Sequence, residues 1–290
     1  MGTDAKSYLV GLIGAGIMET LSAPMHEREA AFHGLSYLYR PIDLNIIGRP
    51  GDDVGQLLQN ARELSFNAFN ITHPCKQLVM QHLDEISDDA ERLGAVNTVL
   101  IHDGKFIGHN TDFSGFSTGL RTGLPDAERG TVLQLGTGGA GAAVAYALLR
   151  SGVKILHLSD VDTARAAERA TALSELFPDQ IVDAVPAADA PAALAAADGL
   201  VNATPVGMHL HPGLPLDITA LSSTQWVADV VYRPIETELI QAARARGCQV
   251  LDGGHMAVGQ AVDAFRLITG VNPEADRMRQ HFLQMIDEGR

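Results

Sequence analysis

The run from 131 to 160, TVLQLGTGGAGAAVAYALLRSGVKILHLSD, constrains the fold more than any other stretch. Residues 132–135 have the length and apolar character of a buried strand. Gly136-Thr137-Gly138-Gly139-Ala140-Gly141 follows, then an Ala-rich helical run through Leu149 and a second apolar strand over 153–158. An acid, Asp160, closes the run, about twenty residues past the glycines. Each glycine has a task. Gly136 permits the tight turn, Gly138 lets the backbone approach a pyrophosphate, and Gly141 lets helix and strand pack closely. The helix N-terminus adds N–H groups without intrahelical partners and the positive end of the helix dipole. A GxGxxG alone says little. In this order, with strand, helix, strand and acid, it predicts a dinucleotide site built from Gly136, Gly138, Gly139, Ala140, Gly141 and Asp160.

At 290 residues the chain exceeds most single cores, so two domains are expected. A net charge of −14 argues against a nucleic-acid footprint and against adhesion to an anionic membrane. Cys75 and Cys248 stand far apart and form no CxxC pair, so neither a disulfide framework nor a zinc site is expected. The apolar stretch 8–18 lacks a basic leader and is too short to span a bilayer. The expectation is a cytoplasmic protein with reduced thiols and no metal.

Along the chain, residues 8–13 read as a strand and Gly14-Ala15-Gly16 follows it. This turn is a decoy, because Glu19 occupies the third glycine position. A helix is expected near 24–33, a strand over 37–42 and a helix over 53–64 with Val54, Leu57, Leu58, Ala61 and Leu64 on one face. Residues 66–71 read as a strand, 75–83 as one helix and 87–93 as a short capped helix. A hairpin is expected around Asp103-Gly104. After the glycine-rich run come a helix over 162–176, a weak strand near Ile181 and an Ala-rich helix over 188–196. Strands over 199–203, 226–231 and 249–251 and a helix over 236–246 complete that part. Helices over 255–268 and 273–286 end the chain. His26, His33, His82 and His102 form no ligand cluster, His209 and His211 read as loop surface, and Trp226 reads as an anchor of the glycine-rich domain.

If the dinucleotide accepts a hydride from an alcohol, the protein must take up the hydroxyl proton. The richest stretch for that is Asn70-Ile71-Thr72-His73-Pro74-Cys75-Lys76. A strand end delivers Asn70 and Thr72, and Lys76 sits in the next turn. From spacing alone it fits a catalytic lysine and a plain strand-to-helix junction with a surface lysine equally well.

Asn70-x-Thr72-x-Pro74-x-Lys76, Gly94-Ala95-Val96-Asn97-Thr98, Gly108-x-Asn110-Thr111-Asp112, Asn202-Ala203-Thr204-Pro205-x-Gly207-Met208 and Gly254-x-Met256-x-x-x-Gln260-Ala261 together resemble the shikimate dehydrogenase family, in the family's order over nearly the whole chain. The resemblance implies an α/β chain of two domains with a cleft between them. Residues 1–112 would form the substrate-binding domain, 113–252 a Rossmann-type parallel-sheet domain, and 253–290 helices returning to the first. It implies Lys76 and Asp112 as the catalytic pair, Lys76 taking the proton and Asp112 hydrogen-bonding both partners. Thr72, Asn97 and Gln260 would hold ring hydroxyls. Thr20 and Ser22 match the family's carboxylate-gripping serine pair, and Tyr232 a tyrosine that reaches the same carboxylate. Asn202, Thr204, Pro205, Met208, Val230 and Gly253 would join the glycines in holding the dinucleotide.

Threonine replaces the usual serine at Thr20, and Ala23 stands where the family has proline. The runs 230–238 and 260–266 resemble the quinate/shikimate dehydrogenase branch more closely. The implied reaction moves a hydride between NAD and the C3 hydroxyl of quinate or shikimate, giving the 3-dehydro acid. An amino analogue as substrate, a non-catalytic sensor of ring acid and cofactor, and a folate-type two-domain dehydrogenase are the rival readings. Asp160 and Asp162 would repel a 2′-phosphate, so NAD is expected over NADP. Arg165 is the competing residue, read as exposed and structural. A small cyclic hydroxy acid is the expected partner, and a homodimer is compatible with the chain.

Overall fold

The computed structural model describes residues 6–289. The chain divides into two compact units, Met1–Thr111 with Gln260–Arg290, and Asp112–Gly259.

The first unit comprises β1 (Ser7–Gly14), α1 (Ser22–Phe32), β2 (Ser36–Asp43), α2 (Leu44–Ile47), α3 (Val54–Glu63), β3 (Ala68–Ile71), α4 (Cys75–Leu78), β4 (Glu85–Ile86), α5 (Asp88–Leu93), β5 (Thr98–His102) and β6 (Lys105–His109). Its sheet has the order β2-β1-β3-β5-β6-β4. β1 runs parallel to β2 and β3, whereas β5 is antiparallel to both β3 and β6. Successive side chains leave a strand on opposite faces. Val10, Leu12 and Ala68 therefore enter one core with Tyr39, while Ile13, Phe69 and Ile71 enter another with Val54, Leu58 and Val96. Each fully buried side chain of this size contributes roughly 1.5–3 kcal/mol.

The second unit comprises α6 (Asp112–Gly123), β7 (Thr131–Leu135), α7 (Gly139–Arg150), β8 (Ile155–Ser159), α8 (Thr163–Leu176), β9 (Ile181–Ala184), α9 (Ala190–Ala196), β10 (Gly199–Asn202), β11 (Trp226–Asp229), α10 (Glu238–Ala245) and β12 (Gln249–Leu251). Its strands are all parallel, in the order β12-β11-β10-β7-β8-β9. The small residues of α7 are explained by burial: every residue from Gly141 to Leu149 is inside. Trp226 is buried beside Gly199 and donates its indole N–H to the Glu128 carbonyl at 2.8 Å, which is the anchoring role expected of it.

α11 (Gly254–Thr269) begins in the second unit and ends in the first, and α12 (Ala275–Asp287) belongs to the first. Residues 253–259, expected with the returning helices, therefore lie in the second unit. Gly253 packs on the backbone of Val230 and Val231, and Gly259 on the backbone of Gly115, which ties this turn to the sheet and to α6.

One local expectation fails and one short strand goes unforeseen. The helix expected over 75–83 breaks after Leu78, and a 3-10 turn over Met80–His82 takes over, laying the His82 ring on Gly55 of α3. β4 is too short for any periodicity to reveal it; pairing with β6 creates it.

α1 buries two polar side chains. His26 is fully enclosed among Tyr37, Tyr39 and Phe265, with Nδ1 3.1 Å from the Tyr37 hydroxyl. Burial pulls its pKa down to about 3, so the ring is neutral. Glu29 accepts from the Glu274 N–H at 2.8 Å, from Arg277 Nε at 2.8 Å and bonds His33 Nε2 at 3.0 Å. Burial would raise its pKa, but Arg277, the Glu274 N–H and His33 outweigh it and hold the carboxyl below its ordinary value. Glu29→Gln leaves at least one of these donors unmatched and is expected to lower the stability of the first unit by about 1–3 kcal/mol. The urea-unfolding midpoint followed by circular dichroism measures this.

Candidate active site

In the first unit the polar candidates gather at one edge of the sheet. β1 and β3 end there and β5 begins there, since Thr72 N donates to Ile13 O at 2.9 Å and Ile71 N to Asn97 O at 2.7 Å. Thr20 and Ser22 follow β1, with the Thr20 hydroxyl accepting from Ser22 N at 3.2 Å at the start of α1. Thr72 and Lys76 follow β3, both half-buried, and the Lys76 carbonyl accepts from Val96 N at 2.9 Å. Asn97 is buried and fixed from several sides. Its Oδ1 accepts from Thr111 N at 2.7 Å, and its Nδ2 donates to Thr111 Oγ1 at 3.0 Å. Asp112 is the next residue after Thr111 and opens α6, buried, in the second unit. Gln260 is half-buried on α11, in the part belonging to the first unit.

Beneath this edge Asn70 and Thr98, both within the motifs read from the sequence, join a layer whose third member, Tyr39, the sequence reading missed. Tyr39 Oη donates to Asn70 Oδ1 at 2.8 Å, and Asn70 Nδ2 donates to Thr98 Oγ1 at 3.0 Å. The Tyr39 hydroxyl also bonds Ser22, so one buried phenol joins α1 to β3. The only sequence signal for it is a tyrosine at a core-facing position of β2.

The Gly14-Ala15-Gly16 turn is occupied by the protein's own acid. Asp43 accepts from Gly16 N at 3.0 Å, Ile17 N at 2.7 Å and Asn45 N at 3.0 Å. These N–H groups hold the Asp43 carboxyl below its ordinary pKa against the upward push of burial. The turn thus resembles a phosphate loop whose anion is built in.

In the second unit the candidates follow the carboxyl ends of the parallel strands, where ligands of open α/β sheets bind. The strand order reverses between β7 and β10, and there Gly136 has φ +88° with its Cα facing the Ala203 carbonyl; a Cβ would stand 2.6 Å from that oxygen. Gly141 packs directly on the Gly136 carbonyl. Gln134, the polar residue interrupting β7, donates through Nε2 to both the Gly136 and Gly141 carbonyls at 2.8 Å. Gly138 caps α7, and a Cβ at Gly138 or Gly139 would meet nothing within 4 Å, so the backbone here and at Ala140 is open to a pyrophosphate. These features fit a dinucleotide.

Asp160 follows β8 and is 7% exposed. Its carboxylate accepts from Thr137 N at 2.7 Å, Thr137 Oγ1 at 2.8 Å, Asp162 N at 3.0 Å and Arg165 Nη2 at 2.6 Å. Burial pushes its pKa up, but the Asp162 and Thr137 N–H groups, Arg165 and the Thr137 hydroxyl prevail and hold it at about 2. Arg165 is exposed, as expected, and its contacts are with these acids: it pairs with Asp160 and reaches Asp162 at 3.4 Å.

Asn202 follows β10, its Oδ1 accepting from Thr204 Oγ1 at 2.6 Å and its Nδ2 donating to Val206 O at 2.9 Å. Pro205 is exposed, and the loop folds back as Met208 N donates to Pro205 O at 3.1 Å, leaving Met208 39% exposed. His209 and His211 are exposed in the same loop. Val230 is half-buried and Tyr232 exposed after β11. Gly253 follows β12 with no room for a side chain against the Val230 and Val231 carbonyls.

A family model described as the shikimate dehydrogenase substrate binding domain matches residues 12–99. A protein of Arthrobacter sp. (strain FB24) named shikimate dehydrogenase (NADP(+)) is 62% identical over 286 residues, covering 99% of this chain and 98% of that one. One of Corynebacterium efficiens named quinate/shikimate dehydrogenase (NAD(+)) is 50% identical, covering 96% and 99%. The solved quinate dehydrogenase from Corynebacterium glutamicum in complex with NAD superposes with a TM-score of 0.93 at 49% identity, covering 96% of this chain and 99% of that one.

Gly141→Val would force the first turn of α7 away from the Gly136 carbonyl. We expect dinucleotide affinity to fall by at least about tenfold, measured by equilibrium dialysis against the reduced cofactor.

Proposed function

Because the chain belongs to the shikimate dehydrogenase family, we propose that it is an NAD-preferring dehydrogenase that oxidises quinate or shikimate at the C3 hydroxyl. The observation that carries the ring-acid reading is the polar edge of the first unit. There hydroxyl, amide and ammonium side chains collect around one sheet end, a chemistry suited to a polyhydroxylated acid.

Each residue has a physical role in this reading. Thr20 and Ser22 stand at the N-terminus of α1, where hydroxyls and the helix dipole favour a carboxylate. Tyr232 would reach the same group. Asn97 is held by Thr111, so its orientation toward a ring hydroxyl is preset. Thr72 and Gln260 would bind the other hydroxyls. Lys76 takes up the proton of the reacting hydroxyl, and Asp112 hydrogen-bonds both and keeps the lysine placed. Gly136, Gly138, Gly139, Ala140, Gly141, Asp160, Asn202, Thr204, Pro205, Met208, Val230 and Gly253 would hold the dinucleotide, which supplies the hydride acceptor when bound.

The preference for NAD rests on charge at the end of β8. A 2′-phosphate arriving there meets Asp160 and Asp162, with Arg165 already engaged by both. Two carboxylates against one guanidinium leave a net repulsion for a phosphate. A specific observation favours NADP instead: the relatives at 62% identity are named for it. The two readings differ in whether Arg165 stays with Asp160 or turns to the phosphate.

Initial rates with quinate, shikimate and their amino analogues, each with NAD and NADP, test the proposal. Reduced-cofactor absorbance is expected with at least one of the two hydroxy acids, faster with NAD; silence with all of them refutes it. Lys76→Ala is expected to lower kcat by roughly 10²–10⁴-fold with a much smaller change in substrate KM. Asp160→Ala is expected to raise the use of NADP relative to NAD, since it removes one repelling carboxylate and releases Arg165.

A further inference from the structure

Asp229, the last residue of β11, is 3% exposed and has no part in the roles above. Its Oδ1 accepts from Asn202 Nδ2 at 2.9 Å and from Val231 N at 3.0 Å, and its Oδ2 accepts from Thr237 Oγ1 at 2.7 Å. Three segments meet at this carboxylate. Asn202 in turn fixes the following loop, accepting from Thr204 N and Thr204 Oγ1 and donating to the Val206 carbonyl. Thr237 does the same for the other side, since its hydroxyl accepts from Ile240 N at 3.2 Å as the cap of α10. Gly207, at φ +108°, passes close to the Thr237 side chain, which leaves the next residue, Met208, placed by the same cluster.

The geometry points to Asp229 as a positioning residue for the dehydrogenase reaction: by bonding Asn202, Val231 and Thr237 at once, it sets the loop 203–208 and the segment 230–237 that are to hold the nicotinamide end of the cofactor. This rests on the reading of Asn202, Thr204, Pro205, Met208 and Val230 as cofactor contacts. All three donors point at the carboxylate, so the network is matched to the ionised form. A proton on Asp229 would turn one acceptor into a donor facing other donors. Burial pushes its pKa up to about 6, with the Val231 N–H, the Thr237 hydroxyl and the Asn202 amide opposing. Asn202 faces it from β10, Val231 from its own strand end and Thr237 from α10. Among the described residues, no charged side chain contributes to that shift. The ionised form, and with it the set loop, is therefore lost as pH falls through about 6.

The test compares full-length wild type with Asp229→Ala and Asp229→Asn, following the dissociation constant of the reduced cofactor together with kcat and both KM values across pH. Asparagine keeps the oxygen that meets Asn202 and Val231 but, like the protonated acid, sets a donor against the Thr237 hydroxyl. Asp229→Ala is expected to weaken cofactor binding by at least about tenfold, with a smaller change in ring-acid KM. Asp229→Asn, whose amide presents a donor where the protonated acid would, is expected to bind the cofactor at every pH about as weakly as wild type does below its acid limb. In wild type, cofactor affinity should decline as pH falls through about 6, and Asp229→Asn should flatten that limb. Unchanged cofactor affinity in Asp229→Ala would overturn the proposal, as would an acid limb that persists in Asp229→Asn. Should the alanine variant fail to fold, the pH profile of the asparagine variant still decides. The binding measurement needs no turnover. If wild type turned over no ring acid while Asp229→Ala still lost cofactor affinity, the substrate reading would fail and the role of Asp229 would stand.

Discussion

The second unit depends on a contact in which one backbone rests on another. Gly141, in the first turn of α7, packs on the carbonyl of Gly136 at the end of β7. The Gln134 amide ties the two together, one proton to each carbonyl. The N-terminus of α7 is thereby fixed at the point where the strand order reverses, and Gly136 lies against the Ala203 carbonyl of the neighbouring strand end. Asp160 reaches back to Thr137 within the glycine loop itself, so loop and acid form one hydrogen-bonded body.

The same device serves opposite ends in the two units. After β1, the turn at Gly14-Ala15-Gly16 directs N–H groups at Asp43 and so closes on itself. After β7, the corresponding backbone is left open over α7. What separates a structural turn from a ligand-binding one is whether the chain supplies its own anion. That distinction also explains why polar residues, rather than apolar ones, define the edges of both sheets. Tyr39, Asn70 and Asn97 in the first unit, and Asp229, Asn202 and Thr237 in the second, fix loops by multiple bonds that a hydrophobic core has no means to specify.

Periodic features were legible because they are local. The glycine spacing, the apolar stripes of α3, α10, α11 and α12, and the Asp103-Gly104 hairpin all appear as expected, with ends shifted by a few residues. The decoy turn was recognised from Glu19 at the third glycine position, but its filling by Asp43 was not, since that acid comes from the next strand. Tyr39 and Asp229 were missed for a related reason. A lone polar residue in an apolar strand announces only that it has a partner, and here the partner lies up to 31 residues away. The break of the expected 75–83 helix is tertiary too: His82 seats against Gly55 of α3, which no window around His82 contains.

The first unit is assembled from the two ends of the chain, with the second unit inserted between them. Glu29 and the Arg277 that neutralises it are separated by 248 positions. A chain made from its N-terminus therefore has all of Asp112–Gly259 before it has α12. The second unit is complete in sequence while the first still carries an ionisable side chain on α1 with no arginine to meet it. Synthesis order thus runs against spatial order. α12 can close on α1 only after the whole of the second unit has been made.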